Sequence, residues 1–125
     1  MEVDLEFLRA ELRATFQRAL ELQVALDFAE GRVPQTGVPH YVVIEEASHR
    51  VGCEVSRGVQ ERHMNEVIAR QSLCGTCPEC KTRCNLKTQK RKITSCDGEV
   101  NLQELVGHCP ECRRDFFPST RASWI

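Results

Sequence analysis

The tetrapeptide Cys-Pro-Glu-Cys occurs twice, at 77–80 and 109–112, with Asp97-Gly98 between the two copies. A CxxC turn curls the backbone so that two thiolates converge while the amides that follow point back at the sulfurs. Two such turns brought together supply four thiolates in the tetrahedron that suits Zn²⁺. The intervening "RKITSC-DG-EVNLQEL" alternates with period 2 on either side of Asp-Gly, the strongest short hairpin signal, because a type I′ turn needs positive φ at both central residues. Such a hairpin carries the two cysteine pairs to one place. Cys77, Cys80, Cys109 and Cys112 are therefore the expected ligands of one structural zinc ion, in a zinc ribbon spanning 73–118.

With Asp97-Gly98 as the loop, Arg91 faces Glu104, Ile93 faces Leu102 and Ser95 faces Val100 on an apolar side carrying one ion pair. Lys92 then faces Gln103, Thr94 faces Asn101 and Cys96 faces Glu99 on a polar side. Cys96 falls beside the turn and outside the metal site. The usual ribbon knuckle has glycine directly after its second cysteine, where positive φ is cheap. Here Lys81 and Arg113 stand there, which predicts about 1 kcal/mol of strain at each.

A rival ligand set exists, since Cys74, Cys77, Cys80 and Cys84 have the spacing of a bacterial ferredoxin run and could hold an iron–sulfur cluster. Asn85 stands where that run has proline, the second CPEC is left without a role, and the six basic residues in 81–92 do not suit a buried low-potential cluster. On the zinc reading Cys74 and Cys84 are free thiols near the site, and Cys84 would replace a ligand if the first knuckle were displaced.

The chain has 125 residues and eight cysteines, enough for a small domain beside a helical arm. No apolar run approaches the roughly 20 residues that span a bilayer, and the acidic start "MEVDLEFLRAEL" is neither a signal nor a transit peptide. A cytoplasmic location follows, where clustered thiols are ligands more often than disulfides. Residues 1–76 carry 8 Lys+Arg against 12 Asp+Glu, and residues 77–125 carry 9 against 6.

The expected fold class is α+β, with an N-terminal antiparallel helical hairpin ahead of the ribbon. The first amphipathic helix occupies 1–31, with Leu5, Leu8, Leu12, Ala19, Leu22 and Leu26 at helical spacing, Phe16, Leu20, Val24 and Phe28 widening the stripe, Asp4 as cap and Gly31 as stop. Thr15 and Ala19 make an imperfect a/d seam, which favours packing within the chain over a self-pairing coiled coil. A turn-rich linker covers 32–40 and a second helix 41–72, where Gly52 and Gly58 invite a kink. A tail covers 119–125. His40, His49 and His63 have no partner at i+4 for a helical metal pair, Cys53 reads as a small buried residue, and Glu45 and Glu46 as part of a solvated face.

The stretches "IEEASHRVGCEVSRGVQERHMNEVIARQ" and "CPECKTRCNLKTQKRKITSCDGEVNLQELVGHCPECRRDFFP" resemble the N-terminal region of bacterial insertion-sequence transposases of the ISKra type, over about 41–118. The resemblance implies DNA recognition by the ribbon, with Cys77, Cys80, Cys109 and Cys112 as zinc ligands. In such transposases this region precedes a catalytic domain whose acidic residues hold divalent metal for strand transfer. The expectation is that this domain is lacking, since "STRASWI" after "FFP" departs from the family's continuation. A truncated or frameshifted transposase without strand-transfer activity is the expectation.

The residues support a nucleic-acid role of their own. "KTRCNLKTQKRK" presents Lys81, Arg83, Lys87, Lys90, Arg91 and Lys92 without an acid, and the polar ribbon face adds Thr94, Asn101 and Gln103. A two-stranded ribbon fits the major groove of double-stranded DNA. The plainer reading is a solvated basic loop offsetting the net charge of −2 of a zinc ion with four thiolates. No nucleophile–base pair, phosphate loop or HExxH helix is visible, and four cysteine ligands leave zinc no open position, so neither an enzyme nor a small-molecule substrate is expected. The competing function is a protein-interaction module, in which the ribbon is a scaffold and the helices dock a partner or, as a homo-oligomer, another copy.

Overall fold

The computed structural model describes residues 2–118, and the expected tail at 119–125 lies outside the described residues. Two long helices precede a four-stranded antiparallel sheet, an α+β architecture. Helix α1 spans Leu5–Ala29. Asp4 caps it by accepting the Phe7 amide at 3.1 Å, and Gly31 follows the last turn at φ 79°. Helix α2 spans Tyr41–Ala69 and runs without a break through Gly52 and Gly58. The chain forms two compact units whose boundary falls inside α2, between Val51 and Gly52.

In the first unit no apolar side chain is buried among the described residues. The stripe expected to pack within the chain is instead exposed: Leu5, Leu8, Leu12, Phe16, Leu20, Leu22 and Leu26 each keep between 46% and 60% of their surface in solvent. The stretch of α2 in this unit offers only Val43, Ala47 and Val51 as half-buried apolar residues, too little bulk to cover it. The one buried residue among those described in this unit is Asp27, whose carboxylate accepts from Gln23 at 2.9 Å and from Arg32 at 3.5 Å. Its carbonyl accepts the amides of Arg32 and Val33, which folds the linker back over the helix end.

The second unit is a meander of β1 (Cys74–Thr76), β2 (Arg83–Ser95), β3 (Gly98–Cys109) and β4 (Arg114–Phe116), neighbours in chain order. The central hairpin differs from the expected one by two residues. Ser95 pairs with Gly98 and Ile93 with Val100, so the loop is Cys96-Asp97. Among the described residues of the turn only Gly98 has positive φ, at 113°, which excludes the type I′ geometry and suits a bulge-forming glycine after the turn. An even shift leaves each residue on its expected face. Arg91 and Glu104 still pair at 3.3 Å, now diagonally, because Arg91 lies opposite Leu102.

The stretch whose plainer reading is a basic loop is strand from Arg83 onward, and β1 and β4 add a short partner on opposite edges of the long ribbon, both at its cysteine end. Near the turn the buried side of the ribbon is that of Val100, with Ile93 and Leu102 half-buried. Toward the cysteines it is that of Leu86, Leu105 and Gly107. A twisted two-stranded ribbon can bury opposite faces at its two ends. The C-terminal part of α2 lies beside it. Ser56 donates to the Asp97 carboxylate at 2.5 Å, Arg57 donates to the Asp97 carbonyl at 2.7 Å, and Glu61 accepts the Asn101 amide at 3.1 Å. Gly107 sits where a Cβ would come within 2.5 Å of Phe116 and 2.8 Å of Leu86, so only glycine lets the three strands close.

Candidate metal centre

Each CPEC segment is the tip of a tight hairpin. In the first, between β1 and β2, the Cys77 amide donates to the Thr82 carbonyl at 2.9 Å and the Lys81 amide to the Cys77 carbonyl at 3.1 Å. In the second, between β3 and β4, the Arg113 amide donates to the Cys109 carbonyl at 2.7 Å and the Cys112 amide points at Cys109 Sγ, 3.4 Å away. Lys81 and Arg113 take φ of 63° and 56°, the left-handed conformation expected of them. The β2–β3 ribbon then places both tips at the end remote from its own turn.

The four sulfurs of Cys77, Cys80, Cys109 and Cys112 all lie within 4.8 Å of one another, with Cys80 and Cys109 at 3.4 Å and Cys77 and Cys112 at 3.8 Å. A tetrahedron with metal–sulfur bonds of about 2.3 Å has edges of about 3.8 Å, inside the observed range. The four can hold one metal ion. Cys77 and Cys109 are buried, Cys112 is half-buried and Cys80 is exposed, so the cluster is closed on the sheet side and open at one ligand. Arg114, just past the second tip, pairs with Glu79 in the first at 2.9 Å and ties the two together.

The local field divides the thiols. Cys80 is lowered to about 6, first by the Thr82 hydroxyl 3.0 Å from its sulfur and then by the Thr82 amide. Cys77 is lowered by the amides of Cys80 and Glu79. Cys112 is pushed up to about 12, mainly because its thiol donates toward Cys80, with burial adding to the effect. Two of the thiols are thus made more acidic and one less, and a cation must displace the proton of the last. Soft, deprotonated sulfur donors select metals such as Zn²⁺ over the hard oxygen-seeking cations.

Cys84 is a fifth thiol in the same buried cluster as Cys77 and Cys109, raised chiefly by burial. Its sulfur donates to the Thr82 carbonyl at 3.3 Å, back into the first knuckle. Its inward side follows from strand parity with Leu86, a signal legible only once β2 is extended to Arg83. Cys74 faces Asn85 across β1 and β2, and Cys96 is exposed in the turn at the opposite end of the ribbon.

Of the residues expected to meet DNA, Lys81, Arg83, Lys87, Lys90, Arg91, Lys92, Thr94, Asn101 and Gln103 are all exposed. Their charge is not equally available. Arg91 pairs with Glu104, and Lys92 with Glu99 at 3.4 Å, whereas Arg83, Lys87 and Lys90 have no acidic partner among the described residues. Asn101 has Glu61 of α2 on its backbone amide, so β2 is the more positive strand. Past Leu86 the outer edge of β2 has no strand partner among the described residues. Lysines on such an edge also keep it from pairing with other strands. Compared with protein-family models, with curated proteins and with solved structures, the chain matches none.

Proposed function

We propose that residues 73–118 are a zinc ribbon that binds double-stranded DNA, with Cys77, Cys80, Cys109 and Cys112 holding one structural Zn²⁺. The observation that carries the metal reading is the set of four sulfurs within 4.8 Å at the tips of two hairpins with matching backbone turns. The ion would neutralise the thiolates and lock the two tips together. With four sulfur ligands it has no place for substrate, so the role is structural.

DNA is favoured as the partner by the exposed cations along β2 and by the resemblance of 41–118 to transposase N-terminal regions. A transposase origin is part of the same proposal and is carried by that resemblance alone. Arg83, Lys87 and Lys90 contact phosphates, and Thr94 and Gln103 add hydrogen-bonding groups on neighbouring positions of the ribbon. Each phosphate contact steepens the fall of log affinity with log salt by about 0.9. Titrating a fluorescent duplex with metal-loaded protein at several salt concentrations tests this. The expected result is a steep slope that becomes shallower by about 2 in the Lys87→Gln, Lys90→Gln double variant. Arg91→Gln, already neutralised by Glu104, changes it less. Affinity indifferent to salt refutes DNA binding and leaves the ribbon as a scaffold for protein contacts.

A further inference from the structure

Among its described residues the first unit buries no apolar side chain, yet α1 carries a continuous apolar stripe. Most of a helix's stability in a protein comes from packing its apolar face, and the exposed pairs of α1, Arg9–Glu6 at 2.6 Å and Arg18–Glu21 at 3.3 Å, do not replace that packing. Something must cover the stripe. We infer that a second copy of this chain does so, α1 packing lengthwise against α1 of its partner.

The area is of the right size. Leu5, Leu8, Leu12, Phe16, Leu20, Leu22 and Leu26 are each about half exposed. Together they offer on the order of 700 Å², close to the about 800 Å² that each side of a stable complex buries. A second α1 is a rod of the same length, about 38 Å, so the two stripes match from end to end. A two-fold axis through their middle makes the contact self-complementary and closed.

The seam is also chemically ready. Leu5, Leu8, Leu12, Thr15, Ala19, Leu22 and Leu26 alternate steps of three and four, and Glu6, Glu11, Arg13, Arg18 and Glu21 fall off the stripe. Thr15 and Ala19, the departures from a leucine seam, are small and sit near the middle, where they let two backbones approach closely. Thr15 enters without a stranded donor, because its hydroxyl already donates to the Glu11 carbonyl at 2.8 Å.

Sedimentation equilibrium of the full-length, metal-loaded protein in reducing buffer at tens of micromolar tests the inference. The expected result is twice the chain mass, with Leu12→Ala weakening self-association at least tenfold and Leu12→Glu, Phe16→Glu giving monomer. Metal content should be unchanged in both variants, since neither position is in the unit that carries the thiols. A monomeric wild-type protein, or a dimer that survives both variants, overturns it. Failure of zinc binding would leave this result intact, so the two readings stand or fall separately.

Discussion

The two units of this chain reach order by opposite routes. The first is built of long helix with strong local signals and no buried apolar side chain among its described residues. The second has weaker local signals, several strands of which two are only three residues long, and yet it encloses a core. That core is small and unusual, since three of the six buried apolar residues among those described are Cys77, Cys84 and Cys109. Leu86, Val100 and Leu105 are the rest, too few to hold a four-stranded sheet by burial alone. The contrast teaches that neither unit is sustained by an ordinary hydrophobic core. On the readings proposed above, one draws on a metal and the other on a second copy of the chain.

The largest effect that would break this comparison is metal removal. A tight chelator, or Cys109→Ser at the fully buried ligand, should unfold the ribbon outright, because binding a structural Zn²⁺ is worth roughly 10 kcal/mol or more. Amide NMR should then lose the dispersed strand resonances of β2 and β3 while those of α1 persist. A ribbon that stays folded without metal would refute the contrast.

Packing comes next. Gly107→Ala forces a Cβ against Phe116 and Leu86 beside the cysteine cluster, and should cost about 1–3 kcal/mol in denaturant unfolding of the metal-loaded protein. No loss would mean that the ion alone fixes the sheet. A smaller effect of opposite sign is expected at the knuckles. Lys81→Gly or Arg113→Gly relieves a left-handed residue at φ 63° or 56° and should stabilise by about 1 kcal/mol in the same assay.

The smallest effect concerns protons. Cys80 is lowered to about 6 only in the folded knuckle, beside Thr82. The metal-free ribbon is unfolded on this account, so its thiols meet the ion with ordinary values of about 8.5. Metal binding at pH 7.5 should therefore release close to four protons, read by calorimetry in buffers of different ionisation enthalpy, and the affinity should fall as the pH is lowered. A count nearer three would show that the metal-free ribbon keeps the Thr82 contacts on Cys80.

Much of this was legible in the sequence where local chemistry is decisive. Asp4 and Gly31 bound α1 because a cap and a left-handed stop are read within a few residues. The duplicated CPEC showed which sulfurs cluster, and the positions of Lys81 and Arg113 showed where positive φ would fall. What stayed hidden depends on tertiary context. β1 and β4 are too short to show a period, and an Asp-Gly pair marks a tight turn without saying which residues form its loop. Here the glycine follows the loop, and Asp97 accepts from Ser56 in α2. Burial of Cys84 follows from strand parity, which a run of lysines disguised. The stripe of α1 was plain, but periodicity does not say what covers it.

X-ray absorption at the metal edge of the purified protein tests the central claim most directly. The account predicts one zinc per chain with a first shell of four sulfurs at about 2.3 Å. A shell containing nitrogen or oxygen, or iron with iron neighbours, would contradict it.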